Sequence, residues 1–254
     1  MNKKLITDLV TTPYRRVWSV WQIVFILGLS ILALIAFRSF SQLEREIADF
    51  FMVHVGCKTR SNFAPDATLC GYFPWAHDPF PRAVHEALKL PYKLLLAFTI
   101  IWFAACVLLR KSSTKVDFRV PLSGLLSFAL GVLLTVNFIL KEHWGRPRPN
   151  QTSDAGGKDT YVLPGTISDQ CEGNCSFVSG DASAAFWMFW VVPFIPQKWR
   201  LLGFLMITGL ALANAFMRVA QGRHYLSDVV LAALITLAII GVVNWSLGAW
   251  KKSG

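Results

Sequence analysis

Six stretches of the chain carry no Asp, Glu, Lys or Arg: 17–37, 94–109, 120–140, 182–197, 201–217 and 229–250. They are 16 to 22 residues long, and a helix of roughly 17–25 apolar residues crosses the hydrocarbon core of a bilayer. The shorter stretches suffice because flanking Lys and Arg bury their stems and lift their charges to the interface. The pattern predicts an all-α membrane bundle of six transmembrane helices, at about 17–37, 92–110, 120–141, 179–197, 200–218 and 227–250. A single domain, 1–254, contains them. After the first span, Leu43, Ile47, Phe50, Phe51 and Val55 recur at helical spacing against Glu44, Arg45, Glu46 and Asp49. That is an amphipathic helix, either lying on the outer membrane surface or packed on the bundle. Two long connections remain, 38–91 and 142–178; the second is too long for a mere connector and is functional, disordered or both.

Composition agrees with a membrane protein. Of 254 residues 54% are hydrophobic and 16% charged, against about 25% charged in soluble domains. The distribution of the net charge of +10 sets the orientation. Segments 1–16, 110–119, 198–200 and 251–254 hold 12 Lys and Arg and 2 acids, whereas 38–93, 141–181 and 218–228 hold 13 of each. Positive short loops stay on the cytoplasmic side, so both termini are expected there. Charge spread over small loops also argues against nucleic-acid binding. The first span is expected to be retained, since its 21 uncharged residues exceed a signal-peptide core and no Ala-x-Ala-like site follows.

Cysteine usage fits the same topology. Cys57, Cys70, Cys171 and Cys175 fall in the two outer connections, and Cys106 lies inside the second span. Four outer cysteines suggest disulfides in an oxidising compartment. Three pairings are possible, of which Cys57–Cys70 with Cys171–Cys175 is the expected one. Cys171-x3-Cys175 lacks the second ligand pair of a structural metal site. His54, His77 and His85 have no ligand spacing and are read as solvated or packed.

The chemistry gathers at span ends. Lys141 ends an outward span, Ser179 to Asp181 begin an inward one, Arg218 ends the next outward span, and His224 to Asp228 begin the last inward one. Alternation alone puts all four groups on one membrane face. Lys141, Arg148 and Arg218 are cationic donors suited to phosphate. Pro147 and Pro149 stiffen the segment bearing Arg146 and Arg148. Ser179 and Gly180 stand at a helix start, where unpaired N–H groups attract anions. His224 and Asp228, four apart, share a face if the last helix begins there; Asp228 would then hold one ring nitrogen and leave the other to attack phosphorus. Arg146 and Arg223 would touch either lipid headgroups or the phosphate.

These residues resemble the type 2 phosphatidic acid phosphatase superfamily, whose pattern is Lys-x6-Arg-Pro, Pro-Ser-Gly-His and Ser-Arg-x5-His-x3-Asp. Lys141, Arg148 and Pro149 match the first part, Ser179 and Gly180 the second, and Arg218, His224 and Asp228 the third. The resemblance implies metal-free and cofactor-free hydrolysis of a membrane lipid phosphate at the periplasmic face of a bacterial inner membrane. His224 would be the nucleophile, Asp228 its orienter, and Lys141, Arg148, Arg218 and the Ser179-Gly180 backbone the phosphate clamp. Lipid A, undecaprenyl diphosphate and phosphatidylglycerophosphate are the substrate types expected. Val178 and Met217 depart from the pattern. More consequential is Asp181, which replaces the His that protonates the leaving oxygen. Since Asp titrates near 3.9, Asp181 is either a general acid with a raised pKa or a spectator, and His143 is a possible substitute. A lipid phosphotransferase with the same phosphohistidine is an alternative. So is a catalytically impaired lipid-phosphate binder or transporter, although the six stretches place no charge at mid-membrane.

Overall fold

The computed structural model describes residue 14 and residues 17–56, 69–110 and 116–249. Among these, five helices are long and apolar enough to cross a membrane. Helix α1 (Val20–Ser39) is followed by α2 (Ser41–Phe50), a two-stranded antiparallel sheet of β1 (Val53–Gly56) and β2 (Leu69–Tyr72), and a short turn of helix, α3 (Pro74–His77). Then come α4 (Pro79–Arg110), α5 (Arg119–His143), α6 (Gly180–Trp187), α7 (Gln197–Ala220) and α8 (Leu226–Ala249).

Helix α8 is central: it packs against α1, α5 and α6, and α6 is wedged between α7, α8 and α5. Small residues permit this. Gly180, Ala182, Ser183, Ala184 and Ala185 of α6 are buried, as are Ala211 and Ala215 of α7 and Ala232 and Ala238 of α8. Outward faces are the reverse, with Trp21 81%, Phe25 70%, Ile101 69% and Leu201 70% exposed. In water each would be costly; against lipid chains they are matched.

Two elements differ from the six-span expectation. Helix α4 begins at Pro79, well before the expected span start near 92, and carries Arg82, Glu86 and Lys89 on its first turns. The apolar run after Gly180 is not one long helix. After Trp187 it tightens into a 3-10 helix, Met188–Phe194. Pro193 lacks the N–H that an α-helical turn needs, and Pro196 follows at the N-cap of α7. Helix α5 is also irregular, since Phe128–Leu140 is wound as a π-helix. The amphipathic segment packs on the bundle through Glu44 and Ala48, while Leu43 and Phe50 stay exposed.

The long connection 142–178 is ordered against the bundle. Arg38 donates to the Pro164 carbonyl at 3.0 Å, Ser168 Oγ to the Gly145 carbonyl at 2.6 Å, and Arg146 Nε to the Val162 carbonyl at 2.9 Å. The expected Cys171–Cys175 disulfide is present. Cys70 is disulfide-bonded, and Cys57 lies outside the described residues.

Candidate active site

His224 sits two residues before the start of α8, at the end of a tight reversal from α7. Gly222 makes that reversal possible: its φ is +62°, and a Cβ there would lie 2.3 Å from the Phe73 ring. His224 is 1% exposed. Its Nδ1 lies 2.8 Å from the Ser176 carbonyl. A carbonyl only accepts, so Nδ1 carries the proton and Nε2 carries the lone pair. Among the described residues Nε2 is buried without a hydrogen-bond partner. Burial, reinforced by Arg218, Lys141 and Arg148, pushes the His224 pKa well below the ordinary imidazole range. An imidazole held neutral with one free nitrogen has the form that nucleophilic chemistry requires.

Asp228 does not hold His224 directly, which corrects the expected hydrogen bond. The closest approach, Nδ1 to Oδ2, is 3.9 Å. Because α8 begins at Leu226, His224 lies outside the helix and the four-residue spacing does not align the pair. Instead Asp228 organises what surrounds His224. It accepts from Ser176 Oγ at 2.5 Å, from the Tyr225 N–H at 3.0 Å and from Arg146 Nη1 at 2.6 Å. Ser176 thus grips Asp228 through its hydroxyl and His224 through its carbonyl. The motif pattern could not show Ser176, since its contact with His224 is a backbone one.

Arg146 is likewise neither a headgroup anchor nor a phosphate ligand here. It is fully buried, and its Nη2 pairs with Glu44 of α2 at 2.5 Å while its Nη1 also donates to Ser227 Oγ at 2.8 Å. The Tyr225 ring lies 4.4 Å from its guanidinium carbon. Burial opposes the charge, and Asp228 with Glu44 more than offsets it, so the guanidinium is held above its ordinary pKa. Tyr161 donates its hydroxyl to Glu44 as well. Glu44 is a site residue that sequence reasoning missed: the periodicity groups it with Arg45, Glu46 and Asp49 as the polar side of an amphipathic helix, and its partner lies 102 residues away.

The expected cations do converge. Lys141 Nζ lies 3.0 Å from Asn174 Oδ1, and Arg148 Nη2 donates to the Asn174 carbonyl at 2.7 Å. Asn174 belongs to the Cys171–Cys175 loop, so the disulfide lies beside both cations and Ser176. Burial, with Arg218 and Arg223 nearby, lowers Arg148 to about 10. Arg148, Arg218 and Arg223 line a cavity of about 450 Å³ together with Arg82, His85 and Lys89 of α4. Ser179 caps α6, accepting from the Ala182 N–H at 3.4 Å, while its own N–H donates to the Asp228 carbonyl at 3.2 Å. Gly180, the first residue of that helix, is packed so closely that a Cβ would come within 2.6 Å of Asn137 Oδ1.

Asp181 faces Arg218, whose Nε is 3.2 Å from Oδ2, and His85, whose Nε2 is 3.5 Å from the same oxygen. Tyr92 of α4 reaches Oδ1 at 3.4 Å. His143, by contrast, is exposed and packs edge-on against Phe138, 5.9 Å between ring centres. Among the described residues no group of three or more His, Cys, Asp or Glu could hold a metal ion.

Comparison with known proteins places this arrangement. The model of the PAP2 superfamily matches residues 122–252. The lipid A 4'-phosphatase of Rhizobium leguminosarum is 33% identical over 216 residues, covering 83% of this chain and 89% of that protein. Its counterpart in Rhizobium etli is 32% identical over 213 residues, covering 83% and 81%. Among solved structures, the transmembrane PAP2 type phosphatidylglycerolphosphate phosphatase of Bacillus subtilis superposes with a TM-score of 0.57. At 19% identity, over 92% of this chain and all of that one, that likeness is one of fold.

Proposed function

The chain belongs to the PAP2 superfamily, and from that premise we propose that it is a membrane lipid phosphatase acting on a sugar-linked phosphate of the lipid A type. The observation that carries this reading is the state of His224: Nδ1–H committed to the Ser176 carbonyl, Nε2 unpaired, three cations acting on it. Lys141, Arg148 and Arg218 neutralise the phosphoryl oxygens, and the Gly180 end of α6 adds the positive end of a helix dipole. Nε2 attacks phosphorus, the bond to the lipid oxygen breaks, and a phosphohistidine forms. The Ser176 carbonyl keeps the tautomer, and Asp228 at 3.9 Å compensates the charge that the ring gains. Water then cleaves the phosphorus–nitrogen bond and restores His224. The side chains supply the charge that a metal ion supplies elsewhere, so the reaction needs no metal.

The lipid A type is preferred among the three substrate types because the relatives that span most of the chain are lipid A 4'-phosphatases. We place both termini in the cytoplasm of a bacterial inner membrane and the site at the periplasmic face, from the asymmetry of Lys and Arg. The α6 helix with its 3-10 extension serves as the fourth of the six crossings, shielded by its neighbours rather than facing lipid.

The test is phosphate release from a panel of lipid phosphates in detergent with EDTA, beside His224→Ala, with acid-labile labelling of His224 followed in parallel. Release from lipid A that survives EDTA and is lost in the variant supports the reading. Labelling without release would indicate a phosphotransferase awaiting an acceptor lipid, and neither would indicate a binder.

A further inference from the structure

The position where the superfamily pattern has its proton-donating His holds Asp181, which leaves the departing lipid oxygen without an evident acid. We propose that His85, on α4, is the proton donor to the leaving oxygen, and that Asp181 is the positioning residue that holds it. The proposal rests on the phosphohistidine reading above.

His85 is 4% exposed, yet it lines the 450 Å³ cavity together with Arg148 and Arg218. Its Nε2 is buried and, among the described residues, has no hydrogen-bond partner, standing 3.5 Å from Asp181 Oδ2. At that separation the contact is a charge pairing rather than a short hydrogen bond, so the His85 ring is oriented by Asp181 without its proton being locked to the carboxylate. The same Asp181 carboxylate pairs with Arg218 at 3.2 Å. It therefore bridges a phosphate-binding cation and a histidine, and fixes the distance between the phosphoryl site and a proton source. Tyr92, about two turns further along α4, steadies the other carboxylate oxygen at 3.4 Å. An unaided carboxyl between an arginine and a histidine is a charge partner, which suits it to orient a donor. Helix α4 reaches the site only because it extends above the bilayer from Pro79 to the apolar run, and His85 lies on that extension.

The chemistry balances. As the phosphorus–oxygen bond breaks and the His224–phosphorus bond forms, the imidazolium of His85 gives its proton to the lipid oxygen, which leaves as a neutral hydroxyl. His85, now neutral, accepts a proton from the water that attacks phosphohistidine. That water's oxygen joins phosphorus, phosphate departs, and both histidines return to their starting states.

A proton donor matters in proportion to the poverty of the leaving group. The experiment measures kcat/KM of the protein in detergent for lipid A, whose leaving group is a poorly acidic sugar hydroxyl, and for 4-nitrophenyl phosphate, whose leaving group departs as a stable phenolate. His85→Ala and His85→Gln are compared with the parent. General acid catalysis contributes roughly 10²- to 10⁴-fold, so lipid A turnover should fall by about that factor while the nitrophenyl ester falls by less than about tenfold. Asp181→Asn should show the same selectivity at smaller amplitude. Equal losses on both substrates in His85→Gln, or no loss on either, would overturn the assignment. Loss of both activities in His224→Ala is the separate control. If that variant retains either activity, the phosphohistidine reading fails whatever His85 does.

Discussion

Replacing Arg146 by Met removes the guanidinium that bridges two buried carboxylates. Glu44 and Asp228 are both at 0% side-chain exposure, and Arg146 holds them at 2.5 and 2.6 Å. The same guanidinium donates to Ser227 Oγ and to the Val162 carbonyl. Methionine fills most of the volume, so the loss is electrostatic rather than a cavity. Breaking a buried ion pair by deleting one partner costs about 3–5 kcal/mol, because the remaining charge stays buried and unpaired. At about 2–4 °C per kcal/mol for a chain of this size, the unfolding midpoint should drop by about 6–20 °C. Tryptophan fluorescence during heating in detergent reads this directly. Adding Glu44→Gln to Arg146→Met removes one of the stranded carboxylates and should recover part of the loss. The KM for lipid A should stay within about threefold of the parent for the protein that remains folded. If instead the midpoint moves by less than about 2 °C while KM rises about tenfold, then Arg146 binds the substrate phosphate and the buried triad is not its role.

Two further outcomes are expected. The His224 pKa lies below the ordinary value of 6.5, so the active neutral form survives as pH falls through that value. The acid limb of kcat/KM should therefore lie below pH 6.5 and move upward in Arg148→Gln, which removes one depressing cation; a limb at or above 6.5 in the parent would contradict the geometry. Reducing Cys171–Cys175, or replacing both by Ser, should lower kcat/KM by roughly 10-fold or more with the helical circular dichroism unchanged, because Asn174 and Ser176 flank that bridge and position the two cations and His224. Full activity of the reduced protein would refute it.

The sequence was most informative where physics is local. Runs without charge place the long helices because desolvating a charged side chain in hydrocarbon dominates every other preference. Alternation of those runs was enough to bring Lys141, Ser179, Arg218 and His224 to one end. The start of α4 escaped because a charge-free window cannot see a helix that continues through Arg82, Glu86 and Lys89. That is also why His85 passed as a loop histidine. The broken geometry after Trp187 followed from Pro193, whose effect was readable though its consequence for the fourth span was not drawn. Glu44, Ser176 and Asn174 were illegible for another reason. Their contributions are pairings across 102, 48 and 33 positions, two of them involving a backbone carbonyl or a buried charge that no spacing rule encodes.

The clasp formed by Arg146 also dictates an order of assembly. It joins α2, the outer connection and α8, elements drawn from near the beginning, the middle and the end of the chain. Chains emerge from the ribosome N-terminus first, so Glu44 is laid down long before Asp228 exists. Until the last helix is inserted, Arg146 has only half its counter-charge and Ser176 has no histidine to hold. Catalytic competence is thus a late event in biogenesis, and a chain stopped short of α8 would be a bundle of spans with no working centre.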